Sequence, residues 1–353
     1  MKQEKTRILT RDGVEVEAFA PAILSVSRAT DIPAFYAEWF FNRLEEGYCK
    51  WRNPFNRVVN YVSFERVRFI VFWSKNPAPL IPYLDRLKKR GIGCYIQYTL
   101  NDYEAEGLEP GVPATGQRVE TFRRLVEVLS THGVVWRFDP MILTDKIGIS
   151  ELLQKVSFLA EQLQGYTDTL IFSFADIAGY RKVGRNLAAN GIGYEEWTEV
   201  GMREFALRLS QLNKESRWNL KLRTCAERID LSEFGIEHSR CVDDERIARI
   251  ANRDACLMTE LGLRIHEQSP GLFGEIEMLP AGAIFMPEGR YAMCIANRKD
   301  SGQRQLCGCI KSKDIGQYDT CPHGCLYCYA NTSSESASRN YHRHNPDTET
   351  IIS

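Results

Sequence analysis

The residues most able to do chemistry lie near the C-terminus, in Cys321-Pro-His-Gly-Cys325-Leu-Tyr-Cys328. Three thiols spaced four and three residues apart can close round one face of a 4Fe-4S cluster. Three ligands for four irons leave one iron open to a small molecule, whereas a cluster that only carries electrons usually takes four Cys. Pro322 and Gly324 suit a loop wrapped tightly around such a group, because Gly reaches backbone angles that other residues avoid. A zinc knuckle or a disulfide-bonded loop is the plainer alternative. Zinc sites favour four ligands in paired C-x₂-C or Cys/His sets, and His323, inside the triplet, is badly placed to be the fourth.

Cysteine use elsewhere sharpens this picture. The chain of 353 residues has eleven Cys, nine of them from Cys225 onward and five between Cys307 and Cys328. In a reducing compartment such a density points to metal or redox use more than to disulfides. With the triplet set aside, Cys225, Cys241, Cys307 and Cys309 form a second constellation. Four thiols could ligate every iron of a second 4Fe-4S cluster, hold a tetrahedral zinc, or simply be buried free thiols. Cys256, on an expected helix, and Cys294 are left out of it.

The elements that must position these residues follow from periodicity. Short apolar runs at 22–27, 68–73, 94–100, 134–138, 169–174 and 219–224 read as strands. Helical patterns separate them at 34–46, 80–89, 121–130, 150–164 and about 194–212. Six strands alternating with helices predict an α/β fold with a mainly parallel sheet. In such folds functional groups collect at the C-terminal ends of the strands. Polar residues do stand there: Ser27, Arg28 and Asp31; Ser74, Lys75 and Asn76; Gln97, Thr99 and Asn101; Arg137 and Asp139; Ser173 and Asp176; Arg223 and Thr224. Alternation along 94–99 puts Cys94, Ile96 and Tyr98 on one face and Tyr95, Gln97 and Thr99 on the other, with Gln97 and Thr99 as the inward set. Asp31 is placed to cap the helix after it.

We divide the chain into a lead-in over 1–21, the strand–helix repeat over 22–224, and a C-terminal cysteine-rich extension over 225–353. Within the extension, 250–300 reads as an insertion with turns at Pro270-Gly, Pro280-Ala-Gly and Pro287-Glu-Gly. The polar tail from Asn331 reads as an extended strap. Lys and Arg number 45 against 46 Asp and Glu, a net charge of −1, so no global electrostatic case exists for nucleic acid. No window approaches the ~18 apolar residues of a membrane helix, and the N-terminus lacks a signal-peptide pattern. A cytoplasmic protein without membrane association is expected.

The spacing C-x₃-C-x₂-C, with an aromatic before the last Cys, resembles the cluster motif of the radical S-adenosylmethionine (SAM) superfamily, although there the motif normally follows the first strand. That resemblance implies a (β/α)₆ partial barrel of the TIM type and SAM chelated at the open iron. It also implies reductive cleavage of SAM to a 5′-deoxyadenosyl radical, and an electron donor such as a flavodoxin or a ferredoxin. Lys75 or Arg137 would then meet the SAM carboxylate, and Asn76, Gln97 and Asp139 its amino and ribose groups. The strings Leu24-Ser-Val-Ser-Arg28-Ala-Thr-Asp31-Ile-Pro33, Val71-Phe-Trp-Ser-Lys75-Asn76-Pro77, Trp136-Arg-Phe-Asp139-Pro140 and Lys311-Ser-Lys-Asp-Ile-Gly316, with the triplet through Asn331, resemble the DUF1848 family. The Trp-Ser-Lys-Asn-Pro string is also similar to one in spore photoproduct lyase, a radical SAM enzyme that repairs DNA. Two other functions stay open: an iron–sulfur or zinc redox sensor without SAM cleavage, and nucleic-acid repair or modification. The substrate, small or macromolecular, is not named by any residue.

Overall fold

All six apolar runs form strands of one sheet. The computed structural model describes residues 4–54, 56–268, 279–296 and 299–352, so the expected Pro270-Gly turn lies outside the described residues. In chain order the main sheet contains β1 (Ile23–Val26), β2 (Phe69–Ser74), β3 (Gly93–Thr99), β4 (Val134–Met141), β5 (Thr169–Phe174) and β6 (Lys221–Thr224), with two short additions, β7 (Glu237–His238) and β8 (Lys313–Asp314). Spatial order is β7-β6-β5-β4-β3-β2-β1-β8, and every pair is parallel.

From β1 to β6 the spatial order is the chain order. Each crossover therefore steps one place in the same direction, and crossovers of one hand put the intervening helices on one face. These are α1 (Ala37–Glu46), α2 (Leu84–Lys89), α3 (Thr115–Leu129), α4 (Ile149–Leu163), α5 (Arg181–Ala189) and α6 (Glu199–Glu215). Under them lies the larger core, where Val26, Phe72, Ile96, Tyr98, Trp136, Phe138 and Phe172 meet the helices. On the opposite face Ile23, Val71, Tyr95, Val135 and Ile171 pack against Val242, Ile247, Leu257, Leu263, Met286 and Ile310. Apolar cover on both faces is why the strands read as near-continuous apolar runs.

The outcome departs from expectation in three places. The sheet has eight strands, not six; it is open, with β7 and β8 as edges that do not pair with each other. Two-residue strands carry no hydrophobic period, so tertiary contacts alone create them. The lead-in is a hairpin, Lys5–Leu9 with Glu15–Phe19, and it joins Tyr48–Arg52 and Val59–Ser63 in a second sheet of four strands that was not expected. The tail is not simply a strap. Ser334–His342 is helical, started by the Ser333 hydroxyl accepting from the Ser336 N–H at 3.1 Å. Beyond it the chain runs in turns and bends back against α1, where Trp39 Nε1 donates to the Thr348 carbonyl at 2.8 Å.

Near the C-terminal ends of the strands the second face turns from apolar to polar. Ser25, Trp73, Gln97 and Arg137 replace the aliphatic layer, followed by Ser27, Lys75, Asn101, Asp139 and Ser173. This polar shaft is the floor of the site.

Candidate metal and cofactor site

The triplet is carried to the mouth of the sheet by backbone pairing with the loop that follows β3. Leu326 N donates to the Leu108 carbonyl at 3.0 Å, and Gly111 N to the His323 carbonyl at 2.7 Å. A Cβ on Gly111 would stand 2.6 Å from that same His323 oxygen, so only glycine lets the two backbones approach this closely. Gly324 turns the triplet loop at φ +68°, and Asn331 Nδ2 holds the Cys321 carbonyl at 2.6 Å.

Side chains lock the same loop. His323 Nδ1 donates to the Gly111 carbonyl at 3.0 Å, and Nε2 lies 2.8 Å from Asp31 Oδ2. Both ring nitrogens are thus engaged by oxygen partners. Neither nitrogen is left to ligate a metal. Asp31 is also held by the Ser74 hydroxyl at 2.7 Å and by the Lys75 and Ala34 N–H groups at 2.8 and 3.0 Å; the last caps a four-residue helix, Ile32–Phe35, because the expected 34–46 helix is divided at Tyr36 and α1 itself has no side-chain cap. Burial would raise the Asp31 pKa, yet the His323 and Ser74 contacts outweigh it and keep the carboxyl below its ordinary range.

A second buried carboxylate, Glu109, sits beneath Tyr327. One oxygen receives Lys75 Nζ at 2.7 Å, Asn101 Nδ2 at 3.0 Å and the Tyr327 hydroxyl; the other faces Arg118 Nη1 at 3.4 Å. Lys75 and Asn101 also donate to the Tyr327 oxygen, at 2.9 and 3.0 Å. Burial opposes the Glu109 charge, but Lys75 and Arg118 prevail and hold its pKa low. Around the triplet, burial pushes the Cys321 thiol up to about 12 and raises Cys325 as well. Deprotonating them takes a cation at the sulfurs, which metal ligation supplies.

The second constellation also assembles. Cys225 Sγ lies 3.3 Å from Cys241 Sγ, and the thiols of Cys241 and Cys307 both contact that of Cys309. Cys309 Sγ accepts from the N–H groups of Cys241 and Val242 at 3.2 and 3.3 Å. Among the described residues, no three Cys, His, Asp or Glu side chains yet converge on one metal position.

Of the residues assigned to SAM, Lys75 stands at the triplet but is engaged by Glu109 and Tyr327. Asn76 is next to it and partly exposed, its N–H donating to the Ser74 hydroxyl at 2.9 Å. Gln97 and Arg137 face the other thiols: Gln97 Nε2 donates to the Cys241 carbonyl at 2.7 Å, and Arg137 Nη1 to Cys241 Sγ at 3.2 Å. Arg137 also pairs with Asp139 at 2.5 Å, and Asp139 N donates to Asn101 Oδ1 at 2.9 Å. Arg137, Asp139, Asn101 and Tyr327 thus form a hydrogen-bonded bridge between the two thiol sets. Trp73 lies across the shaft with the guanidiniums of Arg28 and Arg137 at 5.2 and 5.3 Å from its ring. Arg223 does not reach the mouth. It turns to the other end of the sheet, 3.6 Å from Asp243, in a cavity with His132, Asp168 and Arg246.

Three residues of the framework were not singled out from the sequence. Glu109 and Arg118 lie in a turn-rich loop and on a helix with nothing local to mark them. Asp314 accepts from the Ser25 and Ser27 hydroxyls and the Arg28 N–H at 2.9, 3.0 and 2.8 Å. Its signal was present in the Lys311–Gly316 string, which had been read only as a resemblance.

A sequence model described as a domain of unknown function, DUF1848, matches residues 23–330. No curated protein and no solved structure matches the chain.

Glu109→Gln leaves Lys75 and Arg118 buried without their counter-charge, so unfolding free energy falls by about 3–5 kcal/mol, read by denaturant titration of tryptophan fluorescence. The same pair of carboxylates fixes a pH dependence. A carboxyl with a depressed folded pKa contributes stability that is fully present above its ordinary value of about 4 and is lost as pH falls through the folded value. Between pH 5 and 3 the unmutated chain therefore loses stability more steeply than Glu109→Gln; equal slopes would contradict the pairing.

Proposed function

The chain belongs to the DUF1848 family, and on that premise we propose that it is a radical SAM enzyme whose cluster is held by Cys321, Cys325 and Cys328. One observation carries the reading: the three thiols share a short loop while the histidine and the two buried carboxylates around it are already hydrogen-bonded. His323 is bonded through both nitrogens, Asp31 and Glu109 through both oxygens. The donor set therefore fits a group needing three protein ligands and leaving one metal atom open.

When bound, the cluster would supply one electron to the sulfonium of SAM and so a carbon radical able to take a hydrogen atom from substrate. This chain's own residues bind and orient. Beside the triplet, Thr30 Oγ1 and Asn331 Oδ1 are buried without a hydrogen-bond partner, as is Arg28 Nη2 deeper in the shaft. Buried orphan polar atoms are costly unless a ligand completes them, and a small zwitterion such as SAM offers both charges. Asp139 and Asn76 remain its further contacts. In this reading the six strands in chain order make a partial (β/α)₆ barrel. Lys75, through Glu109 and Tyr327, holds the cluster loop in place, and an external one-electron donor such as a flavodoxin or a ferredoxin reaches the cluster from solvent.

Protein purified without oxygen and reduced with SAM present is expected to hold at least about four irons and four sulfides per chain and to release 5′-deoxyadenosine. Cys325→Ala brings release to background. Bound metal with no nucleoside under any reductant would overturn the proposal in favour of a sensor.

A further inference from the structure

The second set of thiols is not used by the reading above, and its surroundings are not those of inert cysteines. Cys49 and Cys94 give the contrast. Both are buried in the apolar core on the helix side of the sheet. Cys225, Cys241, Cys307 and Cys309 come from the end of β6, the segment after β7 and a Cys-Gly-Cys turn, yet they meet at the polar shaft. Hydrogen-bond donors aim at the sulfurs: two backbone N–H groups at Cys309 and a guanidinium at Cys241. A second guanidinium, Arg28, acts electrostatically on Cys241, Cys307 and Cys309, and its Nη2 is buried with no partner.

Donors aimed at sulfur are what a thiolate ligand needs, because they stabilise its charge and orient its lone pairs. Four thiolates around a divalent centre leave a net charge of about −2, and two buried guanidiniums face it. From this arrangement we propose that Cys225, Cys241, Cys307 and Cys309 hold a second, fully thiolate-ligated metal centre, of iron–sulfur or zinc chemistry, in the wall of the same shaft. Each thiol gives up its proton to solvent on binding, and the sulfurs, now in contact one after another, would spread to surround the metal. Gln97 and Tyr95 fix this centre rather than SAM: both donate to the Cys241 carbonyl, at 2.7 and 2.6 Å. The proposal does not depend on what the triplet does.

The test removes the triplet first. Protein carrying Cys321→Ala, Cys325→Ala and Cys328→Ala, purified without oxygen, is analysed for iron, zinc and sulfide. Retention of about four irons with sulfide, or of about one zinc, supports the centre and says which metal it takes. Adding Cys307→Ser should lower that metal at least tenfold. Less than a tenth of an equivalent of either metal in the triplet-free protein overturns the proposal. If the Cys307→Ser protein does not fold, alkylation of the triplet-free protein decides. Chelator should speed labelling of the four thiols at least tenfold while leaving the exposed Cys256 and Cys294 unchanged. Labelling at one rate with and without chelator overturns it.

Discussion

A carboxylate almost wholly removed from water, Glu109, is the constraint on which the mouth of this protein depends. Its side chain is 2% exposed, and a charge so placed is tolerated only with partners of excellent geometry. Those partners come from four places: Lys75 after β2, Asn101 after β3, Arg118 on α3 and Tyr327 inside the cysteine triplet. Losing Lys75 or Arg118 leaves charge buried without compensation and losing Asn101 or Tyr327 leaves a buried hydrogen bond unmade, so the four segments hold one another. A motif at the far end of the chain is thereby fixed against the first half of the sheet. Asp31 and His323 repeat the device on the other side of the loop.

Much of the fold was legible because its signals are local. All six apolar runs became strands, and the alternation along β3 sorted its faces as expected, with Tyr98 under the helices and Gln97 in the shaft. Asp31 does cap a helix, but the four-residue Ile32–Phe35 and not α1. What escaped depends on contacts distant in sequence. The two-residue edge strands have no period of their own, and the helix at Ser334–His342 hid in a polar tail whose only cue was a serine cap. Glu109 and Asp314 look like ordinary loop carboxylates until residues up to 289 positions away close over them. Both cysteine groupings were visible as counts and spacings. Which polar residue serves which grouping was not, because Gln97, Arg137 and Lys75 occupy equivalent strand ends and only the packed structure separates them.

The arrangement also explains why a polar shaft exists inside an otherwise apolar sheet. Toward the N-terminal ends of the strands the inner face is filled by Val71, Tyr95, Val135 and Ile171 against Val242, Ile247, Leu257 and Met286. Toward the C-terminal ends the same face carries Arg137, Asp139, Asn101 and Lys75, each committed to a partner. Trp73, between two guanidiniums, walls the passage from one thiol set to the other. On the proposed reading these groups keep a dry, charged chamber in shape, so that a radical formed there meets substrate and not water or oxygen.

The most direct test of the central claim is an electron paramagnetic resonance spectrum of the anaerobically purified, reduced protein, recorded without and with SAM. The account predicts a reduced 4Fe-4S signal whose g-values and linewidth change when SAM is added, a change that Cys325→Ala abolishes, because SAM binds an iron that the protein leaves open. A reduced cluster signal identical in the presence and absence of saturating SAM would contradict it.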